Sequence, residues 1–417
     1  ATQAGTGTPI TYSDVSLSGS DEFNVSVPVR LSLANYYPRT DLDQFSDPEQ
    51  TQPITTPYTP LAAPVRVEIG PPETDVNDPI DQVIEELNSI EVVGMPAMTG
   101  KVVVMDPTRV NNFGQLLNGD EINLDDLTDL PDVFMRTYVY NPGTPFHAAT
   151  ADTDPGIPHT SLHVKLSYGS FDQFSTVTPA GEAGPTLAHN PFIGKDPVAV
   201  LEGKPTADVP GIKISRTITV DTAQGPQDKT LTSEGNWLLD SGAAASIISR
   251  AQAANLGVTY KDGTFGTDTP DLVDQNGVDL PNQFTLALNG ISGTETLAGF
   301  YLDALLVRTM EGSATNDDDP NNIRFFDAPV LVGDITLKDP VSGEVLTLDG
   351  VFGMNNLVAS ADISAGDLVP TINALSTGAF DWITFDEPDG ILGLDIATVP
   401  EPTSLSLLGA GLLCLAL

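Results

Sequence analysis

Asn236-Trp237-Leu238-Leu239-Asp240-Ser241-Gly242-Ala243-Ala244-Ala245-Ser246-Ile247-Ile248 is the stretch on which the fold turns. Trp237 to Leu239 read as an apolar strand that delivers a carboxylate at its end. Gly242 permits a tight turn in which backbone N–H groups can approach Asp240, since no Cβ stands in the way. Ser241 adds a hydroxyl able to fix the loop, and a small-residue turn follows before the chain becomes apolar again. The triplet Asp-(Ser/Thr)-Gly is weak by itself: in a chain this rich in Asp and Gly it arises by chance about once in two sequences. Its flanks carry the signal.

With those flanks the stretch resembles the active-site loop of aspartic peptidases, closest in wording to the Asp-Ser-Gly-Ala form of retropepsins. Such enzymes cross the loop with a strand ending in two apolar residues and Gly, and Val351-Phe352-Gly353-Met354 follows Asp240 in that order. Farther on, Trp382-Ile383-Thr384-Phe385-Asp386-Glu387-Pro388-Asp389-Gly390-Ile391-Leu392-Gly393-Leu394 resembles the final strands of pepsin-like enzymes. The resemblance implies a mainly β, two-lobed acid-protease fold of β-barrel type, with one lobe over roughly residues 198–397. It also implies catalysis by Asp240, an active-site loop of Ser241, Gly242 and Ala243, and a supporting strand of Val351, Phe352 and Gly353. No cofactor or metal is expected. Peptide hydrolysis in this class uses two carboxylates that share one proton, because like charges at contact distance cannot both ionise; one acts as base for water and the other as acid.

The first half reads as an earlier copy of the same lobe, residues 1–197 with inserted loops. Val92-Val93-Gly94-Met95 echoes Val351-Phe352-Gly353-Met354, and Val102 to Pro107 echoes Thr384 to Pro388. Leu17-Ser18-Gly19-Ser20-Asp21-Glu22 likewise echoes Ile291-Ser292-Gly293-Thr294-Glu295-Thr296. A copy of Asp240 placed by these offsets falls at 240 − 274 = −34 or 94 − 113 = −19, so the partner Asp is expected upstream of Ala1 and the first lobe lacks its first active-site strand. Within the chain, Asp221-Thr222-Ala223 has Ala where the turn needs Gly, and Asp14-Val15-Ser16 and Asp152-Thr153-Asp154 fail on the same residue types. A retropepsin-like homodimer would supply Asp240 twice, but the long first half disfavours it and a monomer is expected. Tyr12, in Ile10-Thr11-Tyr12, is a candidate flap tyrosine; the plainer reading is an ordinary strand aromatic. The competing class is a non-catalytic extracellular-matrix or binding protein on a peptidase-like β scaffold.

Composition narrows the partners. The 417 residues hold 17 Lys+Arg against 57 Asp+Glu, a formal charge of −40, which excludes nucleic-acid binding by phosphate neutralisation and favours neutral or cationic peptide and protein substrates. Apolar residues at 40% rule out wholesale disorder, and a single Cys rules out a disulfide framework. Near the end, Val399-Pro400-Glu401-Pro402 precedes an apolar run from Leu405 to Leu417, about 20 Å as a helix and short of a bilayer core of about 30 Å. Residues 398–417 resemble a PEP-CTERM sorting signal without its basic tail. That implies a bacterial protein exported to the cell envelope or extracellular matrix, transiently membrane-anchored, and handled by sorting machinery.

Strands are expected at Val25 to Leu31, Lys101 to Met105, Ile212 to Val220, Phe284 to Leu288 and Trp382 to Phe385. Helices are expected at Pro79 to Leu87, Ser249 to Leu256 and Asp367 to Leu375. The acidic stretches Asn118 to Asp132 and Asn316 to Asn322 read as solvated turns that lack a full calcium-loop spacing. His147, His159, His163 and His189 share one window, yet on a strand His159 and His163 would lie too far apart to share an ion easily, so a structural role is expected.

Overall fold

A computed structural model describes residues 11–16, 19–26, 29, 32–34, 58–60, 68–69, 94–106, 136–146, 156–168, 176–178, 186–187, 206–243, 245–290, 293–338, 345–357, 360–362, 367–369 and 380–396. These residues are mainly β. The largest sheet starts from a long hairpin, β12 (Ala207–Thr222) and β13 (Gly225–Leu239), closed at Thr222↔Gly225. Its inner half buries Ile212, Ile214 and Trp237, whereas Thr217, Thr219 and Thr230 farther out are exposed. The ladder shifts register between Val209 and Ile212, where Pro210 has no N–H to donate and Gly211 takes a positive φ of 64°.

Around this hairpin the order is β17 (Phe284–Gly290), β18 (Gly293–Val307), β12, β13, β22 (Gly350–Phe352), β14 (Ile247–Ile248), β19 (Ile323–Val332), β24 (Asp367–Val369) and β23 (Ser360–Asp362). β9 (Ser167–Tyr168) joins through β12. Because β18 also pairs with β19, the six strands from β18 to β19 close into a barrel, which leaves no free edge among them. Its interior is filled by Trp237, Phe300, Phe325 and Phe352, each with under 2% of its surface exposed. Burying a ring of this size stabilises the fold by on the order of 3 kcal/mol. Two-stranded ribbons form from β3 (Ser32–Ala34) with β4 (Tyr58–Pro60), β15 (Val258–Tyr260) with β16 (Leu272–Asp274), and β20 (Thr336–Lys338) with β21 (Val345–Thr347).

A second sheet mixes strands from both halves of the chain, in the order β7 (Arg136–Tyr140), β6 (Val102–Asp106), β25 (Phe380–Asp386), β26 (Ile391–Ile396) and β8 (Leu162–Lys165). One face, including Val103, Met105, Val139, Ile383 and Phe385, joins the core that contains Trp237 and Phe352. The other buries Val102, Val104, Tyr138 and Tyr140 against Trp382. At its centre Val104 pairs with Thr384, flanked by Val103↔Phe385 and Met105↔Ile383, so a local twofold through the Val104–Thr384 pair exchanges β6 and β25. That operation maps Met105-Asp106 onto Phe385-Asp386, which are the residues that echo each other in sequence.

The third sheet has the order β11 (Thr186–Leu187), β10 (Thr176–Thr178), β1 (Thr11–Ser16), β2 (Gly19–Val25) and β5 (Glu68–Ile69). Its hairpin β1–β2 runs from Thr11↔Asn24 to Ser16↔Gly19, and β17–β18 runs through Thr285↔Ala298 to Gly290↔Gly293. Every β1–β2 pair, moved by the 274 residues that separate Gly19 from Gly293, lands on a β17–β18 pair. The next strand follows suit: Val25 pairs with Glu68 of β5 as Gly299 pairs with Leu331 of β19, both antiparallel. Further along each half, α1 (Met95–Met98) begins directly after Gly94 and α3 (Met354–Leu357) directly after Gly353. The order hairpin, third strand, Gly-capped helical turn, sheet strand therefore occurs twice.

The expected helix at Ser249 to Leu256 forms as α2 (Arg250–Asn255), with the Ser249 side chain accepting from Gln252 N–H as N-cap and Leu256 as C-cap. The expectation of a helix from Asp367 to Leu375 is corrected at its start. Asp367–Val369 is the strand β24, paired through Leu368 with Phe325, and the residue before Pro370 is pushed away from helical backbone. Residues 370–375, the expected helix at Pro79 to Leu87, the acidic stretch Asn118 to Asp132 and residues 398–417 lie outside the described residues. The other acidic stretch is a turn held by Lys213 and Arg308 on Asp317 and by Arg324 on Asp318.

Two outcomes follow from this packing. A Cβ on Gly350 would lie 2.8 Å from both the Ile247 carbonyl oxygen and the Trp237 indole, so Gly350→Ala should lower stability by about 1–3 kcal/mol in urea denaturation. Tyr260 donates its hydroxyl to the Val332 carbonyl at 2.6 Å and accepts from Ala298 N–H at 3.3 Å, tying the β15 ribbon to the barrel. Burial pushes its pKa up to about 12, with the Ala298 N–H bond working against the shift. A phenol raised above its unfolded value of about 10 gives stability that is complete below pH 10 and fades as pH climbs towards 12. Alkaline melting should show that loss in the wild type and a smaller one in Tyr260→Phe.

Candidate active site

Asp240 stands where β13 ends, half-buried, and the structure shows what holds it there. β22 lies between two strands that are consecutive in sequence. It runs parallel to β13 through Trp237↔Gly350, Leu238↔Val351 and Leu239↔Phe352, and antiparallel to β14 through Ile247↔Val351 and Ile248↔Gly350. The Asp240 loop must therefore arch over the end of Val351-Phe352-Gly353. Asp240 N–H donates to the Phe352 carbonyl at 3.1 Å, and Met354 N–H donates to the Ala243 carbonyl at 2.8 Å.

Within the loop the carboxylate receives backbone donors. Gly242 N–H donates to Asp240 Oδ1 at 2.8 Å and Ala243 N–H to the same oxygen at 3.2 Å. A Cβ on Gly242 would approach that oxygen to 3.2 Å. Gly353 is held more tightly: a Cβ there would lie 2.6 Å from the Ala245 carbonyl oxygen and 3.0 Å from that of Ala243. Only a residue without a side chain lets the crossing strand pass under the loop.

The loop's far end is fixed by three buried polar residues that the sequence reading did not single out. Ser246 Oγ donates to Asn355 Oδ1 at 2.8 Å, accepts from Gly353 N–H at 3.0 Å and accepts from Asn356 Nδ2 at 2.7 Å. Asn355 Nδ2 in turn donates to the Pro329 carbonyl at 3.2 Å, carrying the network to β19. The signal was present in sequence as polar residues set among apolar ones, Ser246 before Ile247-Ile248 and Asn355-Asn356 before Leu357. Ser241, expected to fix the loop, is instead exposed, and Ser246 does the fixing.

One wall beside the loop is apolar. Leu238 and Ala243 pack in a cluster with Phe284, Leu286 and Leu288 of β17, over a floor of Ala245, Ile247, Leu297 and Val351. Asp240, Gly242, Ala243, Val351, Phe352 and Gly353 are thus brought together. Tyr12 is placed on β1, opposite Phe23, in a sheet that shares no strand pairing with the barrel among the described residues. Moved by 274 residues, Tyr12↔Phe23 lands on Leu286↔Leu297, a pair within that apolar cluster.

The histidines go elsewhere. His163 Nδ1 lies 2.7 Å from Glu311 Oε1, and its backbone N–H donates to Glu311 Oε2 at 2.8 Å. Burial works to raise the Glu311 pKa, but the bonds from His163 prevail and hold it below its ordinary value. His159 is exposed, His147 and His189 lie outside the described residues, and no group of three metal-ligating side chains occurs among the described residues. A comparison with protein-family models, curated proteins and solved structures returns no match.

Removing the Ser246 hydroxyl leaves Asn355 Oδ1, Asn356 Nδ2 and Gly353 N–H without a buried partner. Ser246→Ala should therefore cost about 1–3 kcal/mol in chemical denaturation, against a few tenths for the exposed Ser241→Ala.

Proposed function

We propose that this chain belongs to an exported aspartic endopeptidase, in which water is activated between Asp240 and a second carboxylate. The observation that carries the reading is the apolar-apolar-Gly strand threaded between the two strands that flank an Asp-Ser-Gly loop. It is the arrangement that the resemblance to aspartic peptidases implied, built here from Val351-Phe352-Gly353 under Asp240. Gly242 and Ala243 N–H groups both donate to Asp240 Oδ1, so neither of these two bonds engages the second carboxylate oxygen.

The two-lobed form of the fold is part of the proposal, supported by the two strand sets of matching order and register and by the twofold through Val104↔Thr384. A chain that carries its own second copy of the lobe does not need a homodimer to complete the dyad, so we assign the protein as a monomer. A partner Asp about 20 to 40 residues before Ala1 is part of the proposal, supported by the offsets of Gly19 and Gly94. Export to the cell envelope rests on residues 398–417, and a preference for neutral or cationic polypeptides rests on the charge of −40.

The open reading frame should encode an Asp-(Thr/Ser)-Gly after an apolar pair in that upstream interval; another residue type there sinks the reading. With the upstream segment included, the protein should cleave a denatured polypeptide at acid pH and be blocked by a statine-type inhibitor. Asp240→Asn should lower kcat by about three orders of magnitude or more. Undiminished cleavage by that variant would remove Asp240 from the chemistry.

A further inference from the structure

The two matching strand sets differ at the outer edge of their first strand. In the first, the outer edge of β1 is covered by β10, which pairs antiparallel through Thr11↔Thr178 and Tyr12↔Val177. In the second, β17 is the counterpart of β1, and among the described residues no strand pairs with its outer edge. We infer that the outer edge of β17 is a docking site for an extended segment of another polypeptide, uncharged and β-branched, that adds to the barrel as β10 adds to β1.

Three features of the edge fit that occupant. First, β17 is already held extended: Phe284, Leu286 and Leu288 are half-buried in the cluster that includes Leu238 and Ala243, and β18 pairs with the strand along its whole length. A strand fixed in this way offers its backbone N–H and C=O groups without an ordering cost on its own side. Second, its other side chains obstruct little, since Thr285 and Ala287 are exposed and carry no charge. Proteins that guard an edge place Lys, Pro or a bulge there, and Phe284–Gly290 has none of these.

Third, the register of the guest follows from the repeat. Thr11 and Tyr12, moved by 274 residues, become Thr285 and Leu286, so the incoming strand runs antiparallel with a Thr-like residue opposite Thr285 and a Val-like residue opposite Leu286. A chain with a formal charge of −40 repels an acidic guest, and the uncharged Thr285 and Ala287 offer a basic one no partner, which fits an uncharged segment. The site adjoins the Asp240 wall but does not depend on the peptidase reading, and it stands if Asp240 proves inert.

The test uses the full chain and a capped peptide of the β10 region, Gln173-Phe174-Ser175-Thr176-Val177-Thr178-Pro179-Ala180, with hydrogen exchange as the readout. The peptide in excess should slow exchange within Phe284–Gly290 by about tenfold or more, and the same peptide with Val177→Asp should not. Ala287→Pro should abolish the slowing while β12 and β13 exchange as in the wild type. If that variant fails to fold, the double change Thr285→Lys and Ala287→Lys serves the same purpose. Three outcomes overturn the inference: no slowing anywhere, slowing confined to β1 and β2 because the peptide displaces the chain's own β10, or β17 amides already slow without peptide in a species that sediments as two chains. The last would make a second copy the occupant.

Discussion

Everything near Asp240 depends on one threading constraint: β22 must pass between β13 and β14, beneath the loop that joins them. Three backbones then meet within hydrogen-bonding distance, and the consequence is a demand for residues with no side chain. Gly350 lies against the Trp237 indole, and Gly353 lies under the carbonyls of Ala243 and Ala245. The small residues after Asp240 answer the same demand from above. A strand buried on both sides cannot slip register without driving Val351 and Phe352 out of the two clusters they fill, so the position of Asp240 is fixed by packing as much as by its own hydrogen bonds.

The polar network around Ser246 turns that packed crossing into a defined loop geometry. A buried hydroxyl that accepts two donors and donates once is satisfied only when the loop, β22 and α3 are all in place. The loop is thereby linked to a helical turn more than a hundred residues away in sequence, which no local preference could arrange. The first half of the chain has the same Gly-to-helical-turn step at Gly94. The two halves meet in the sheet where Val104 and Thr384 pair, and Glu387 strengthens that junction by accepting from Gly100 N–H at 2.7 Å.

Much of this was legible in residues. The strands over Ile212 to Val220, Phe284 to Leu288 and Trp382 to Phe385 follow from alternation and β-branched content, and all three lie within observed strands. Ser249 announced its helix as an N-cap. The segment after Asp367 misled, because Leu368 and Val369 have no intrinsic commitment to a helix and a neighbouring strand supplied the pairing that decided them. Ser246, Asn355 and Asn356 were overlooked for a different reason: a single polar residue in an apolar run has no partner visible in sequence, and its worth lies entirely in what it meets.

The sequence by itself determined the chemistry available and the local geometry that goes with it: one Asp-Ser-Gly turn, apolar strands before and after it, a strongly acidic surface and short echoes between the halves. Those are properties of nearest neighbours, set by side-chain volume, backbone freedom and charge. Only the tertiary structure decided that Val351-Phe352-Gly353 runs between the strands flanking Asp240, that the echoes share a register, and that one edge is covered by β10 while its counterpart has no strand partner among the described residues. Pairings between residues a hundred or more positions apart arise from burying complementary faces together, and that gain appears only when the whole chain has closed around them.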